Sequence, residues 1–595
     1  MASVKMKERA EASTPDSVTA STTITTQPAG SDENAESFQS SSPKADEEHK
    51  YLATRPLTLL GGSLLLVILL VTLDASILAT AIPKITDHFH TIADIGWYPA
   101  AYMITNASLQ PLTGKVFTYF SLKRAFLGFV AVFELGSLIC ALASSSTMLV
   151  VGRAVAGMGA SGLMNGTLTI IAVAASPSVR PTMMGLLMSF AGAGQLIAPL
   201  IGGALTEHVS WRWCFWINLP VGAVTIVATM FIRFPAYKAR KTNWTFRDVI
   251  HDFDITGFVV FAPACVMLLL ALEWGGTTYS WSSATIIGLF CGSAGAFLGF
   301  FAWEYRQGES AMIPLSLIRK RVIYSSLLNA ALQFGGILLY VYYLPLWFQV
   351  IKSASPTMSA VYILPTFGLQ IFSAVLAGAL TSRFGYLAPL AATGSTLVTV
   401  AAGLASTLGV HTDAGKYIGY QVLNGVGRGF TMQQPIQAVQ STVSPAMIPV
   451  ATATVAFSQT FGAALFLSLG QTTFLNLLRP ALRTHAPGVN AQDVINTGAT
   501  NYLANLPAGT HNAGVRNGVL LAYNDAITQT FYLAVGCGAG AFVASLGLGK
   551  TKVPTKSDKR NKNAEKTTNR DEEKGERPSS QEESGRSTKE TEGLS

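Results

Sequence analysis

The chain has 595 residues, of which 49% are hydrophobic and only 12% are charged, so its composition lies far from that of soluble proteins. Its net charge of +8 suggests a nucleic-acid partner at first sight, but 12 of its 41 Lys and Arg residues lie in the polar segment after residue 549, mixed with Glu and Asp. We therefore expect no nucleic-acid partner and a solvated segment there instead.

Apolar stretches of about 18–25 residues recur along the middle of the chain and predict an all-α integral membrane protein with about fourteen transmembrane helices. The predicted spans are 57–82, 97–117, 124–143, 147–173, 182–205, 213–233, 255–273, 284–303, 323–346, 358–381, 388–408, 415–438, 448–474 and 529–549. The second, twelfth and thirteenth are rich in Gln, Asn, Ser and Thr, which suits helices that line a cavity.

The distribution of Lys and Arg between the loops predicts the orientation. If the N-terminus lies inside, the outer short loops carry only Lys84, Arg212, Lys352 and Lys416, and most other basic residues of the loops face the cytoplasm. By the positive-inside rule, both termini then face the cytoplasm. Segment 475–528 is expected to be a long non-cytoplasmic loop. We expect the plasma membrane as the location, with the vacuolar membrane as the alternative.

Asp74 is an acidic residue late in the first predicted span, in TLDASILATAIPKI. A charge inside the bilayer costs about 2.5–3.5 kcal/mol on insertion scales, so ionisable residues there are functional candidates. The stretch resembles the first-helix signature of the fourteen-span drug:proton antiporter branch of the major facilitator superfamily. Because burial disfavours the charged form of a carboxylate, we predict that Asp74 carries protons. The alternative is a carboxylate at the membrane surface that caps a break in the helix.

Two loops, after the second and tenth predicted spans, form a faint internal repeat. Both resemble the loop signature of the superfamily, in which a glycine is followed by an acidic residue, arginine, glycine and further basic residues. Thr118 and Ser382 stand where the signature has its acidic residue, so the charge-based latch that the signature implies lacks its carboxylates. The predicted gating residues are Gly114, Lys123 and Arg124 in the first loop and Gly378, Arg383 and Gly385 in the second.

Arg153 and Glu134 are further candidates for proton coupling. Arg153 stands early in the fourth span, in GRAVAGMGASG, which matches the superfamily motif of an arginine followed four residues later by glycine, here Gly157. An arginine there needs a carboxylate or backbone carbonyls as acceptors, and the resemblance implies a role in proton coupling. Glu134 in the third span suits helix packing as well as coupling. Arg428 in the twelfth span either echoes Arg153 or lies near a helix break.

The fifth predicted span is rich in small residues, which let neighbouring helices approach closely in lipid. Its small residues resemble the antiporter motif on the fifth helix of superfamily exporters, which has glycine at the place of Ala198. The motif residues are Gly194, Ala198, Pro199, Gly202 and Gly203. The following WRWCFWINLP run, from Trp211, resembles the start of the sixth helix in the fourteen-span branch. These resemblances imply an exporter.

Polar and aromatic residues in several predicted spans are the candidates for substrate contact. An apolar, aromatic cavity with scattered amides suits neutral or weakly charged organic molecules. Each of these residues alone is also explained by packing or by hydrogen bonds between helices. The candidates are Asn106, Gln110, Asn165, Gln195, Gln333, Tyr340, Tyr343, Gln349, Gln433, Gln437 and Gln459.

The sequence contains no metal-ligand cluster, haem motif, Ser-His-Asp order or nucleotide-binding domain, so we expect no metal, no cofactor and no enzymatic activity. The five cysteines lie in or beside apolar segments without disulfide or metal spacing, which favours a packing role. The expected partners are a small-molecule substrate, protons and the lipid bilayer. The chain is expected to act as a monomer.

The resemblance covers roughly residues 55–549 and implies the major facilitator fold. We predict an N-terminal six-helix half at 56–233, two extra central helices with their loops at 234–321, and a C-terminal six-helix half at 322–549. The tails 1–55 and 550–595 are polar and nearly free of aromatic residues, so we predict that both are disordered and cytoplasmic.

The predicted function is proton-coupled efflux of amphiphilic small molecules, either xenobiotics or a fungal secondary metabolite, by alternating access. One alternative is an importer of the same fold, such as a siderophore or vacuolar amino-acid carrier. The antiporter-type glycines argue against import, and the scarcity of acidic residues in the cavity argues against cationic amino acids. The other alternative is a membrane sensor that does not transport.

Overall fold

The computed structural model describes residues 51–52, 54–89, 97–231, 252–276, 278–504 and 510–555. Most of both predicted tails, and most of the loop at 232–251, lie outside these residues. The described part of the chain is built from helices, and its β-structure consists of isolated bridges only.

The first seven helices form the N-terminal half. They are α1 (Thr54–Phe89), α2 (Trp97–Tyr119), α3 (Leu122–Ala141), α4 (Ser146–Ala174), α5 (Arg180–His208), α6 (Trp213–Trp216) and α7 (Asn218–Phe231). A central pair follows, α8 (Ile255–Trp274) and α9 (Ala284–Gln307).

A short helix leads into the C-terminal half. The elements are α10 (Leu315–Ile318), α11 (Arg321–Ile351), α12 (Pro356–Tyr362), α13 (Leu364–Phe384), α14 (Ala388–Ala405), α15 (Ala414–Thr431), α16 (Gln434–Thr442), α17 (Ile448–His485), α18 (Ala491–Thr497), α19 (Ala499–Ala504) and α20 (Thr510–Leu546).

Within the described residues, 12 helical segments are long and apolar enough to cross a membrane, which confirms a multi-pass membrane protein. The second and twelfth predicted spans fall on α2 and α15, which are helical but are not among these apolar segments. Their amides and glycines lower the hydropathy, as expected for helices buried among other helices. The count of fourteen spans therefore stays a prediction.

The two halves repeat one packing scheme. In the N-terminal half α1 packs on α5, and α4 packs on both α2 and α3; in the C-terminal half α11 packs on α17, and α15 packs on both α13 and α14. The halves meet where α5 lies against α13 and where α2 lies against α17. The central helices α8 and α9 pack on each other, and α8 also lies against α2 and α17, so the pair borders one of the two seams.

The seams are tight at the predicted cytoplasmic end. A Cβ on Gly185 of α5 would lie 2.5 Å from the Ala374 carbonyl oxygen of α13, and one on Gly378 would lie 2.6 Å from the Pro181 carbonyl oxygen. Gly114 of α2 meets the backbone of α17 in the same way. These glycines allow backbone-to-backbone contact between the halves, since no other residue leaves that space.

The segment predicted as a long outer loop at 475–528 is largely helical instead. Helix α17 continues to His485 and α20 begins at Thr510, with α18 and α19 between them. Leu478, Leu482 and Val519 are buried in one apolar cluster with residues of α18 and α19. The sequence hid these extensions because Pro480 and many polar residues interrupt the apolar run.

The first residues of the predicted C-terminal tail are docked rather than free. The Val553 amide donates to the Gly385 carbonyl oxygen at 2.8 Å, and the side chains of Val553 and Thr555 are buried. Gly385 has φ of 80°, and a Cβ there would lie 2.7 Å from the Val553 oxygen. The turn between α13 and α14 is therefore shaped for glycine and held by the segment after α20.

We predict that Gly185→Ala destabilises the protein, whereas Gly203→Ala on the same helix does not. Both substitutions gain about 1 kcal/mol of intrinsic helix propensity. The new Cβ at Gly185 meets the carbonyl of Ala374, whereas at Gly203 it meets open space. Overpacking of this kind costs about 1–3 kcal/mol. Thermal unfolding of the two purified variants in detergent measures the difference, and equal midpoints would contradict the close contact between α5 and α13.

Candidate functional site

A buried ion pair joins the first and fourth helices of the N-terminal half. Asp74 lies on α1 and Arg153 on α4, and Arg153 Nη1 donates to Asp74 Oδ2 at 2.7 Å. The two side chains are 0% and 1% exposed. The structure thus brings together the two residues that the sequence singled out most strongly for proton coupling.

Arg153 has further partners besides the carboxylate. Its Nε donates to the Tyr98 carbonyl oxygen at 3.2 Å, and its guanidinium carbon lies 4.4 Å from the centre of the Tyr102 ring. Phe215 lies at 6.0 Å on the same measure. A backbone carbonyl and a ring face both favour a cation, so the arginine keeps part of its stabilisation when Asp74 is neutral.

Asn218 completes the pair, and the sequence analysis missed it. Its Nδ2 donates to Asp74 Oδ1 at 2.9 Å and to Ser137 Oγ at 3.1 Å. Asn218 begins α7 and is fully buried. It belongs to the WRWCFWINLP run that carries the family resemblance, and the one signal for it is an amide two residues before a proline at the start of an apolar span.

Glu134 lies near this network but is not hydrogen-bonded to it. It precedes Ser137 by one turn of α3, and both of its carboxylate oxygens are buried without a hydrogen-bond partner. The carboxylate fills the space beside Gly222 of α7, where a Cβ would overlap it. The geometry therefore gives Glu134 a place between α3 and α7, and its part in coupling stays a prediction.

The motif residues of α5 hold the helix that carries Asp74. A Cβ on Gly194 would overlap the Thr72 hydroxyl, and one on Gly202 would lie 2.6 Å from the Ile77 side chain. Ala198 between them is fully buried, Pro199 is half-buried, and Gly203 faces open space. Four of the five motif residues thus lie along or beside the contact between α5 and α1.

The C-terminal half repeats this contact without a matching sequence motif. Gly462 and Gly470 of α17 have the same eight-residue spacing as Gly194 and Gly202, and they meet Ala331 and Leu339 of α11. The corresponding helix pairs of the two halves are therefore both packed through glycines.

The six predicted gating residues lie at or beside the predicted cytoplasmic ends of α2, α3 and α13. Gly114, Gly378 and Gly385 allow the close contacts described above. Lys123 Nζ donates to the Met230 carbonyl oxygen at 2.6 Å, and Arg124 Nε donates to Ser121 Oγ at 2.9 Å. The Arg383 guanidinium lies over the ring of Phe384, 5.6 Å from its centre.

The latch between the halves uses hydroxyl groups where the loop signature has a carboxylate. The hydroxyls of Thr182 on α5 and Ser382 on α13 are 2.9 Å apart. Ser189 Oγ donates to the Ile371 carbonyl oxygen at 2.9 Å, again from α5 to α13. Neutral hydrogen bonds of about 0.5–1.5 kcal/mol each connect the halves here.

The hydrogen bonds of the eleven candidates for substrate contact lie within one half or the other. Asn165 Nδ2 donates to Thr113 Oγ1 at 2.9 Å, and Thr113 Oγ1 donates to the Gln110 carbonyl oxygen. Gln333 binds Ser395, and Gln437 binds Gln433.

Several of the eleven have packing roles or unpaired atoms. Gln349 binds Ser359, and Tyr343 packs in an apolar cluster that also contains Tyr340. Asn106 Oδ1 and Gln459 Nε2 are buried without partners, and Gln195 is half-buried. We find separate polar groups in each half, and the assignment of these residues to a substrate cavity stays a prediction.

Comparison with known proteins places these features in a family. The model of the Major Facilitator Superfamily matches residues 64–467. The MFS-type transporter pigP of Monascus ruber is 45% identical over 83% of this chain and 86% of its own length. The efflux pump mlcE of Penicillium citrinum is 43% identical over 87% of this chain and 94% of its own length.

Solved structures agree in fold at low sequence identity. The proton:xylose symporter XylE, bound to 6-bromo-6-deoxy-D-glucose, matches with a TM-score of 0.54 at 13% identity, over 82% of this chain and 94% of its own. A bacterial homologue of the human lysosomal transporter Spinster, inward-facing and unoccupied, matches with a TM-score of 0.52 at 14% identity, over 84% and 99%.

We predict that Asp74 and Arg153 stabilise the protein as a coupled pair. Asp74→Asn and Arg153→Met each leave one buried group without its partner, which costs about 3–5 kcal/mol. The double variant removes both charges and should lose clearly less than the sum of the two single losses. Thermal unfolding of the three variants in detergent measures this coupling.

The exposed pair of His485 and Asp525 provides the control. These side chains are 34% and 42% exposed, so Asp525→Asn should change stability by less than about 1 kcal/mol. Additive losses for Asp74→Asn and Arg153→Met would contradict the coupling.

Proposed function

Since the chain belongs to the major facilitator superfamily and is of the fungal efflux-pump type, we propose that it couples proton entry to the export of amphiphilic small organic molecules. The relatives named as efflux pumps support export. The observation that carries the coupling is the buried pair of Asp74 and Arg153. The two groups are buried, oppositely charged and bonded to three helices. A proton that neutralises Asp74 therefore weakens contacts between those helices.

Protonation acts directly on the contact between α1 and α4. Arg153 lies seven residues after the start of α4, about 10 Å along the helix, on the predicted outer side. A proton that reaches Asp74 from outside removes the negative charge that holds the guanidinium, because a neutral carboxyl attracts a cation far less. The Tyr98 carbonyl and the Tyr102 ring keep Arg153 in place meanwhile. Asp74 and the helix around it are then free to shift.

The motif helix α5 connects this shift to the seam. Its outer half packs through Gly194 and Gly202 on both sides of Asp74 in α1, and its inner half packs through Gly185 on α13 of the other half. A displacement of α1 therefore moves α5, and α5 in turn shifts the contact between the halves. In this mechanism the halves rock about the seams and open to each side in turn.

The proposed substrates are amphiphilic molecules, either xenobiotics or a secondary metabolite of the cell. Amide side chains are scattered through apolar and aromatic spans in both halves, and such surfaces suit organic molecules with a few polar groups. We place the protein in the plasma membrane, where export removes a toxic compound from the cell, and as a monomer, since each chain contains both halves.

We predict that yeast lacking its own pumps retains less of a fluorescent or toxic amphiphile when it expresses this chain. A protonophore should abolish the effect. Asp74→Asn should also abolish it, because this variant cannot exchange a proton and leaves Arg153 without its counterion. Retention is measured by flow cytometry at matched protein levels in the membrane.

Asp413→Asn serves as the matched control, because Asp413 is a fully exposed carboxylate in front of α15, and this variant should export normally. Retention above that of the empty strain would indicate import. Export that survives the protonophore and Asp74→Asn would refute the proposed coupling while leaving export itself intact.

A further inference from the structure

Arg428 is a buried arginine without a counterion in the part of the chain that the structure describes. It lies on α15 and is 1% exposed. Its Nε and Nη1 atoms are buried without a hydrogen-bond partner, and within the described residues the ion pairs join other side chains. The neighbour that its guanidinium faces is the ring of Phe367, 5.3 Å away.

Arg428 is not the counterpart of Arg153 in the other half. Gly157 of α4 packs on the Tyr102 carbonyl, and Gly425 of α15 packs on the Thr366 carbonyl. Gly157 and Gly425 are therefore equivalent positions in the two halves. Arg153 lies four residues before Gly157, and Gln421 lies four residues before Gly425, so Gln421 is the counterpart of Arg153. Arg428 follows seven residues later, two turns deeper in the helix. The echo of Arg153 in the sequence is therefore misleading, and Arg428 needs an explanation of its own.

The energetic contrast between the two arginines is large. Arg153 has a carboxylate, a backbone carbonyl and a ring face as partners. Among the described residues Arg428 lies over the Phe367 ring, and its Nε and Nη1 have no hydrogen-bond partner, yet a guanidinium stays charged in proteins. A charge buried without compensation costs several kcal/mol. The Arg428 guanidinium would be stabilised by an anion that binds to it at one stage of the transport cycle.

Other groups around Arg428 are also donors without partners. Gln421 lies two turns before Arg428 on the same face of α15, and its Nε2 is buried and unpaired. The long side chain of a helical arginine points back toward the N-terminus of its helix, which directs Arg428 toward Gln421. Tyr340 of α11 interacts electrostatically with Arg428, and its buried hydroxyl has no partner. Donors of this kind suit an anion.

The group lies close to the other half of the protein. Tyr340 and Phe367 belong to one apolar cluster, and Leu196 of α5 packs against that cluster from the N-terminal half. The predicted cavity residue Gln195 precedes Leu196 directly. Phe367 lies on α13, which packs on α5 at the seam, and the aromatic and aliphatic side chains of this cluster suit an apolar body.

We propose that Arg428 binds the anionic head of the exported molecule, with Tyr340 and Gln421 as additional donors and Phe367 under the guanidinium. The substrate class is an organic acid whose carboxylate is attached to a large apolar body. A carboxylate accepts strong, charge-assisted hydrogen bonds from a guanidinium, and Arg428 has two nitrogens without a partner. This inference rests on the proposed function and specifies its substrate class.

The test measures binding to the purified full-length protein in lipid nanodiscs. The probes are dansyl-labelled undecanoic acid and its methyl ester, which differ only in the negative charge. The wild type should bind the acid at least about tenfold more tightly than the ester, since the ester cannot make the charge-assisted hydrogen bonds to the guanidinium that the acid makes. In Arg428→Gln this ratio should fall to about one, and in Arg428→Lys it should be intermediate.

Two controls separate binding from structure and from transport. Lys416→Gln removes an exposed charge from the same helix and should keep the full preference for the acid. Asp74→Asn should keep it as well, even though that variant is predicted not to export. If Arg428 had only a structural role, Arg428→Gln would lower the unfolding midpoint of the ligand-free protein. If Arg428 binds the anion, Arg428→Gln leaves that midpoint unchanged or raises it, and the acid no longer stabilises the variant.

The proposal is overturned if the wild type binds acid and ester equally or binds neither, or if Arg428→Gln keeps the preference. Loss of the preference in Arg428→Gln with intact folding supports it. Failure of the proton-coupling proposal would appear only in the export assay and leave this ratio untouched.

Discussion

The low polarizability of a bilayer and of a packed protein interior makes every buried charge expensive, and this constraint organises the structure. In the N-terminal half the cost is met locally, since Asp74, Arg153 and Asn218 satisfy one another across α1, α4 and α7. The ion pair joins α1 to α4, and Asn218 joins Asp74 to α7. In the proposed mechanism, a proton on Asp74 weakens the attraction between Asp74 and Arg153.

The glycines of α5 connect the helix that carries Asp74 to the other half of the protein. Helix α5 contacts α1 through the glycines of its outer half and α13 through Gly185 in its inner half. Backbone contact of this kind makes the helix respond as a rigid body. At the predicted cytoplasmic ends the halves are joined by hydroxyl groups such as those of Thr182 and Ser382. In the proposed mechanism these neutral hydrogen bonds open in each cycle, which requires no change of charge.

The two halves share a packing scheme but differ in their electrostatics. The N-terminal half contains a compensated pair, whereas the C-terminal half contains Arg428 without a counterion among the described residues. We propose that the N-terminal half exchanges a proton and that the C-terminal half holds an anion. On that proposal matching backbones carry different chemistry, which agrees with the faint internal repeat in the sequence.

The sequence alone determined the membrane class and the positions of most helices, and it singled out Asp74 and Arg153, because long apolar runs, small-residue spacing and rare intramembrane charges are local signals. Asp74, Arg153 and the motif from Gly194 to Gly203 were all found in this way. Only the tertiary structure showed that Asn218 bridges Asp74 and Ser137, that segment 475–528 is largely helical, and that Arg428 is not equivalent to Arg153. These facts depend on which distant helices face each other, and no local pattern encodes a hydrogen bond between residues 144 positions apart.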